Sequence, residues 1–140
     1  MNKTRPYSAI IERLRAAKLR PTRQRLALAR LLFEGGDRHV TAESLHKQAL
    51  SQNERVSLAT VYNTLHQFTR AGMLCEVVVE SARSYFDTNT IHHHHFFCEE
   101  SQVLKDIPCA DLRLLDLPTP PQGMEINQID VVIRTRPRGS

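Results

Sequence analysis

The sequence predicts an α+β fold, in which an N-terminal winged helix-turn-helix domain is followed by a small C-terminal α/β dimerisation domain. Three features of the 140-residue chain favour this fold. Four amphipathic helical segments come first, two short β-type segments follow them, and the composition changes after Asp87. Helices followed by a two-stranded hairpin are the elements of a winged helix-turn-helix domain.

The first two helices are indicated by apolar periodicity and by residues that begin or end helices. Apolar spacing predicts a helix over residues 6–19, which Pro21 interrupts because proline cannot continue a helix. Thr22 is a suitable N-cap for a second helix, which we expect to run to Phe33. The glycine pair at positions 35 and 36 then ends that helix.

The third and fourth helices also begin at capping residues. Thr41 opens the segment TAESLHKQALSQ, and Ser57 opens the segment SLATVYNTLHQFTRAG, which Gly72 ends. The fourth helix carries a regular apolar stripe with spacings of three and four residues. The stripe consists of Leu58, Val61, Leu65 and Phe68.

The opposite face of the fourth helix carries Thr60, Asn63 and Gln67. Asparagine and glutamine can pair bidentately with adenine, and threonine can offer its methyl group to thymine. The same pattern is also typical of a solvated helix face. Because nine of the first thirty residues are basic and phosphate contacts supply much of the affinity for DNA, the sequence favours a helix that reads the major groove.

Charge is divided unevenly along the chain. Residues 1–83 hold 14 basic and 7 acidic residues, a net charge of +7, whereas residues 84–140 carry a net charge of −3. This division favours a nucleic-acid reader joined to a second domain, with a solvated basic surface as the alternative. Without a bilayer-spanning segment or a signal-peptide pattern, we expect a cytoplasmic protein with no membrane partner and with reduced thiols at Cys75, Cys98 and Cys109.

The wing is predicted to consist of strands at residues 73–79 and 83–87, joined by a turn near residues 80–82. We place the DNA-binding domain at residues 1–82 and the dimerisation and sensing domain at residues 83–140.

The second domain is predicted from shorter segments. Strands are expected at residues 93–98, 101–107 and about 125–136, with one or two helical turns at 109–116 and a proline-rich connector at 117–123. About fifty residues could hardly be stable alone, so we expect this domain to dimerise. Its apolar core is expected to contain Phe96, Val103, Leu104, Ile107, Ile129, Val131 and Ile133.

Four of the seven histidines are consecutive, at positions 92–95. On a strand, His93 and His95 face one side while His92 and His94 face the other. Imidazoles on one side with nearby carboxylates are typical of a site for Mn²⁺, Fe²⁺ or Zn²⁺. The candidate carboxylates are Asp87, Glu99, Glu100 and Asp106.

An expression tag or an adventitious tract is the alternative explanation of this run, and its internal position between two apolar strands disfavours it. Such a site could also activate water, but the chain has no H-E-x-x-H motif, so we expect a protein that is not an enzyme.

Four ordered motifs carry a specific resemblance to a known family. They lie at residues 19–25, 39–45, 57–65 and 92–98, and read LRPTRQR, HVTAESL, SLATVYNTL and HHHHFFC. Together they resemble the ferric uptake regulator superfamily over about residues 6–136. The resemblance implies a winged-helix domain, a short hinge and a dimerisation domain, acting as a metal-responsive homodimer on operator DNA.

The resemblance also implies functional residues, matched position by position. The family's sensing site falls on His39, Asp87, His93 and His95. Asp106 matches a fifth ligand used by the peroxide-sensing branch, which Asp87 in place of glutamate also resembles. The recognition-helix tyrosine that touches thymine matches Tyr62, and a basic residue that enters the minor groove matches Arg20. Asn63 follows the tyrosine where the family often has arginine.

The chain departs from the family pattern at its structural zinc site. Cys98 matches the first zinc cysteine, but its partner position is Ser101, and no second cysteine pair follows the last strand. We therefore expect no structural zinc. A second family metal site would use His92 and His94, but Arg136 stands at its distal histidine position.

Loss of the cysteine site together with the histidine run resembles the iron response regulator subgroup, which senses iron through haem. Some members carry a Cys-Pro haem motif, whereas this chain has the reverse order at positions 108–109. Because neutral imidazole is a good axial ligand, we expect haem, or a second metal, at His92–His95. Haem binding is expected to weaken the DNA complex.

The sequence therefore predicts an iron-responsive repressor that controls iron-uptake and haem-biosynthesis genes. Its DNA binding would respond to a divalent metal (Mn, Fe or Zn) at the five-ligand site and to haem, which a partner protein could supply. The alternative is a peroxide sensor of the same superfamily, in which Fe²⁺ drives oxidation of a ligand histidine.

Overall fold

The computed structural model describes residues 7–80 and 83–139, which form two compact units. The first unit ends at Thr90 and the second begins at Ile91. The helices are α1 (Ser8–Ala16), α2 (Arg23–Phe33), α3 (Ala42–Ser51) and α4 (Leu58–Arg70). The strands are β1 (His39–Val40), β2 (Cys75–Glu80), β3 (Arg83–Asp87), β4 (His94–Cys98), β5 (Leu104–Ile107) and β6 (Val132–Thr135).

The three predicted helix caps are confirmed. The side chain of Thr22 accepts a hydrogen bond from the backbone N–H of Arg25, and that of Ser57 accepts one from Thr60. Thr41 and Ser44 form a reciprocal capping box, with both bonds 3.0 Å long. These bonds satisfy backbone donors that the first turn of a helix leaves without partners.

The core of the first unit lies where the apolar stripes of the helices meet. Val61, Leu65 and Phe68 of α4 are completely buried, in a cluster that includes residues of all four helices. Leu58, the first residue of the predicted stripe, is instead partly exposed because it lies at the start of the helix. The stripe thus fixes which face of α4 is buried and which is left for solvent or a ligand.

A three-stranded antiparallel sheet with the order β1-β3-β2 completes the first unit. Strand β1 was not predicted, and it pairs His39 with Asp87. Because β3 pairs with both neighbours, residues up to Thr90 belong to this unit, eight residues beyond the boundary expected after residue 82. Two residues of the expected turn, 81 and 82, lie outside the described residues.

The second unit contains a three-stranded sheet with the order β5-β4-β6. Strand β4 pairs antiparallel with β5 and parallel with β6. The helical segment is a single 3₁₀ turn, Cys109–Asp111. The last strand is shorter than expected, because pairing with β4 begins only at Val132; the preceding residues 125–128 are exposed.

The apolar core of the second unit differs from the predicted one by one position in β4. Phe97 is completely buried, with Leu104 and Ile107, whereas Phe96 and Val103 are 38% and 57% exposed. Phe96 and Val103, which were expected to contribute to the apolar burial of the dimerisation domain, are thus exposed in the single chain. Neighbouring residues of a strand face opposite sides, so a shift of one position exchanges the buried and the exposed face.

No helix within residues 7–80 and 83–139 is long and apolar enough to cross a bilayer.

Candidate functional site

Each unit presents a cluster of potential metal ligands, and the cluster of the first unit is His39 with Asp87. The register of β1 and β3 places the two residues opposite each other, with 3.1 Å between His39 Nε2 and Asp87 Oδ2. The Asp87 side chain is only 1% exposed, and its Oδ1 accepts a hydrogen bond of 2.9 Å from the backbone N–H of Asn89. Since a buried carboxylate is costly without a positive partner, this pair is well suited to a cation.

The cluster of the second unit consists of His93, His95 and Asp106. Asp106 Oδ1 lies 3.1 Å from His93 Nε2 and 3.4 Å from His95 Nε2. Strand pairing sets this arrangement, because His95 of β4 stands opposite Asp106 of β5. The two histidine side chains are nearly buried, and one ligand atom from each of the three residues lies within 4.8 Å of the others.

The hydrogen bond of His93 determines which of its nitrogens is available. Nδ1 donates to the backbone carbonyl of Ile91, so the neutral ring has its lone pair on Nε2, facing Asp106. The 3.1 Å contact between Nε2 and Asp106 Oδ1 therefore requires a cation between the two atoms, which is either a proton on Nε2 or a metal ion. A backbone carbonyl that holds the second imidazole nitrogen is also the usual support of a metal-bound histidine.

The donor set fits a borderline or hard divalent metal. Imidazole nitrogens and carboxylate oxygens suit Mn²⁺, Fe²⁺ and Zn²⁺, and no thiolate takes part. All five sequence-predicted ligands belong to the two clusters, whereas the other two candidates, Glu99 and Glu100, do not. Both of these glutamates are exposed, next to the end of β4.

The other side of the histidine run carries a second arrangement, which contains Cys109. Cys109 Sγ lies 3.4 Å from His92 Nδ1 and 4.0 Å from His94 Nε2. The backbone N–H of Val131 donates to His94 Nδ1, while His92 Nε2 donates to the carbonyl of Ile129. Burial and then the neighbouring His92 lower the pKa of His94, which favours the neutral form of its ring.

The pairing of His92 with His94 and of His93 with His95 agrees with the predicted alternation, with ring centroids 5.1 and 4.5 Å apart. The proximity of Cys109 was not predicted, because seventeen residues separate it from His92. A cavity of about 490 Å³ adjoins this second arrangement. It is lined by His92, His94, Leu114, Ile126, Asn127, Gln128 and Ile129.

Cys98, the one cysteine that matches a zinc position of the family, bonds to Ser101. The hydroxyl and then the backbone amide of Ser101 lower the pKa of the Cys98 thiol. Ser101 is the residue that stands where the family pattern has the second zinc cysteine. The absence of structural zinc stays a prediction, to be checked by metal analysis of the purified protein.

The candidate DNA-contacting residues lie on α4 and on the segment before α2. Asn63 and Arg20 are exposed. The Thr60 hydroxyl accepts a hydrogen bond of 2.9 Å from the Ser57 hydroxyl. Tyr62 is half-buried, packs against the core and stacks on His66 with 6.0 Å between ring centroids. Packing therefore holds the Tyr62 ring in one orientation.

Arg25 connects these two candidate DNA-contacting segments. This role of Arg25 was not predicted from the sequence. Its Nε and Nη2 donate to the side-chain oxygen of Gln67 on α4, at 3.3 and 3.1 Å. Its Nη1 donates to the backbone carbonyl of Arg20, at 3.0 Å. The Gln67 oxygen, a candidate for base contacts, is thus already bonded within the unit.

Comparison with known proteins gives a consistent result. The model of the ferric uptake regulator family matches residues 16–133. The ferric uptake regulation protein of Shigella flexneri is 40% identical over 86 residues, which cover 61% of this chain and 58% of that protein. The protein of the same name from Escherichia coli K12 is 38% identical over 86 residues, with the same coverage. The chain thus spans less than two thirds of the length of these relatives.

Solved structures of regulators share the fold. The ferric uptake regulator of Pseudomonas aeruginosa with manganese superposes with a TM-score of 0.68 at 25% identity, covering 91% of this chain and 96% of that one. The ferric uptake regulator of Vibrio cholerae gives a TM-score of 0.71 at 23% identity, covering 91% and 98%. These likenesses confirm the predicted α+β class. Because the family model matches most of its length, the chain belongs to the ferric uptake regulator family.

Proposed function

We propose that the protein is a metal-responsive transcriptional regulator of the cytoplasm that binds operator DNA as a homodimer and controls iron-uptake genes. The observation that carries the proposal is the convergence of His93, His95 and Asp106 on one point with the tautomer of His93 fixed. The names of the relatives as ferric uptake regulation proteins support iron uptake as the controlled process. Regulation, rather than catalysis, is what the family name describes.

We propose that the cluster of the second unit binds the metal, and the resemblance to the family implies that His39 and Asp87 of the first unit complete its coordination. Three donors leave positions open on a metal that prefers five or six ligands. Manganese is the first candidate, because it accompanies the P. aeruginosa regulator of similar fold. A metal that takes ligands from both units couples its occupancy to DNA binding. The peroxide-sensing alternative uses the same five residues and stays a prediction.

The homodimer is supported by the exposed apolar side chains of the second unit. Phe96 and Val103 line an open cavity of about 420 Å³ together with Lys105. A unit of this size leaves part of its apolar surface uncovered unless a second copy buries it. We propose that this face is the dimer interface.

Replacing Tyr62 by Ala is expected to weaken binding to the operator by about 1–3 kcal/mol, because the ring is held by packing and would be lost from the base contact. The measurement is fluorescence anisotropy with a duplex that the wild-type protein has selected from a random library in Mn²⁺. Tyr62→Phe keeps the ring and is the matched control. Equal affinity of Tyr62→Ala and wild type for the selected duplex would show that α4 does not read the DNA through this residue.

We also propose that haem is a second effector, at the cavity beside His92 and His94. Two imidazoles at the edge of a cavity of about 490 Å³ that also contains Leu114, Ile126 and Ile129 could supply axial ligation and apolar contact. Both rings now contact Cys109, so ligation by either ring requires it to leave that contact.

The double substitution His92→Gln/His94→Gln is expected to remove the absorption band of bound haem and the release of DNA by haem. His46→Gln serves as a control, because His46 bonds instead to the carbonyl of Val56 in the first unit. Unchanged haem absorption in the double variant would place haem elsewhere, or show that it binds without a defined site.

A further inference from the structure

A cleft of about 320 Å³ lies between the beginning of α2 and the segment that precedes α4. Its lining combines two arginines, two amide side chains and one glutamate with three apolar residues. The lining residues are Arg23, Gln24, Ala27, Leu28, Asn53, Glu54, Arg55 and Val56. Arg23 is one of the basic residues of the first thirty positions, but the sequence singled out neither it nor the other lining residues as an individual DNA contact.

The two arginines of the cleft differ from others in the first unit. Arg25 is bonded to Gln67 and to the Arg20 carbonyl, and Arg30 pairs with Glu34. Arg23 and Arg55 are exposed, and within the described residues neither guanidinium makes a hydrogen bond or an ion pair. Each therefore offers its full set of N–H donors to a ligand.

The chemistry of the cleft selects an anion with several acceptor oxygens. A guanidinium matches the geometry of a phosphate through two parallel N–H bonds, and two of them exceed the single negative charge of Glu54. The amides of Gln24 and Asn53 add neutral donors. The cleft therefore suits one phosphate group better than an extended organic ligand.

The position of the cleft along the chain links it to the proposed reading elements. Arg23 follows Arg20 by three residues, and Arg55 precedes Ser57, the N-cap of α4, by two. An anion in the cleft would thus lie next to the beginning of α4. We propose that the cleft binds a backbone phosphate of duplex DNA and so fixes the register of α4 in the groove, an inference that rests on the proposed DNA-binding function.

The test compares the salt dependence of DNA binding by the full-length dimer. Arg23→Gln/Arg55→Gln should lower the slope of log Kobs against log [NaCl] by about 1.8 per dimer, since each of two phosphates contributes about 0.9. Arg23→Lys/Arg55→Lys should restore the slope, because lysine keeps the charge. The matched control is Arg113→Gln/Arg138→Gln, which makes the same charge change in exposed residues of the second unit and should leave the slope unchanged.

The probes are the selected duplex and a mixed-sequence duplex of the same length, and thermal unfolding confirms that each variant is folded. The glutamine variant should lose affinity for both probes, because a phosphate contact carries no sequence information. A wild-type slope in that variant overturns the inference, as does a slope reduced equally by the control. Inorganic phosphate at constant ionic strength provides a further test. If it stabilises the wild-type protein but not the glutamine variant, while the DNA slope is unchanged, the cleft is a site for a free anion and the inference is overturned. Failure of the wild type to bind either duplex would instead refute the proposed function.

Discussion

Replacing Asp106 by Asn is expected to weaken Mn²⁺ binding by about 100-fold or more, because even residues that only orient metal ligands contribute about 10- to 100-fold. Asp106 Oδ1 is the atom that both His93 Nε2 and His95 Nε2 face, so its charge is the element shared by the two imidazoles. The amide keeps the shape of the side chain but not the negative charge. Isothermal titration with MnCl₂ measures the change.

The matched control for this substitution is Glu100→Gln, which removes a carboxylate from the same unit outside the cluster. It should bind Mn²⁺ like the wild type. Because no thiolate is expected to hold a structural metal, EDTA should leave the circular dichroism spectrum of both variants unchanged. Equal Mn²⁺ affinity of Asp106→Asn and wild type would remove Asp106 from the site, and unfolding in EDTA would reveal a structural metal.

Phe97→Ala is expected to destabilise the second unit by about 3–5 kcal/mol, because the ring is completely buried and its loss leaves a cavity. The effect should be concentrated in the sheet formed by β4, β5 and β6, in which Phe97 pairs with Leu104 and Arg134. Hydrogen exchange of peptides that cover residues 94–107, followed by mass spectrometry, measures this local stability in the full chain.

The neighbouring ring provides a sharp comparison. Phe96 is 38% exposed, so Phe96→Ala should affect the unfolding of the sheet much less than Phe97→Ala. If Phe96 lies in the proposed dimer interface, its removal should instead raise the dimer dissociation constant, measured by analytical ultracentrifugation. Equal loss of exchange protection in the two variants would contradict the assignment of Phe97 to the core and Phe96 to the surface.

Helices with periodic apolar residues and capping residues were the part of the fold that the sequence could predict. The capping bond of Ser57 follows from a local signal, the residue type at the start of α4. The burial of Val61, Leu65 and Phe68 follows from their spacing along the helix. Strand β1 has only two residues, too few for any periodicity, and exists because it pairs with β3. Short strands depend on partners distant in sequence, which a single sequence does not contain.

The histidine clusters show the same division between local and distant information. The alternation of His93 and His95 with His92 and His94 follows from the period of a strand, and the rings pair accordingly. The contact with Cys109 depends on how the chain returns after β5, so local pattern could not indicate it. Phe96 and Phe97 are equally apolar, and only the pairing of β4 decides which of them is buried.

The central claim is that a divalent metal held by the histidine cluster controls DNA binding. The most direct measurement is a titration of Mn²⁺ into EDTA-treated protein, with the anisotropy of the selected duplex as the readout. We predict that affinity for the duplex rises with metal occupancy, and that DNA tightens Mn²⁺ binding by the same factor, as linkage requires. Both effects should disappear in His93→Ala/His95→Ala. Equal DNA affinity with and without Mn²⁺ in the wild-type protein would contradict the claim.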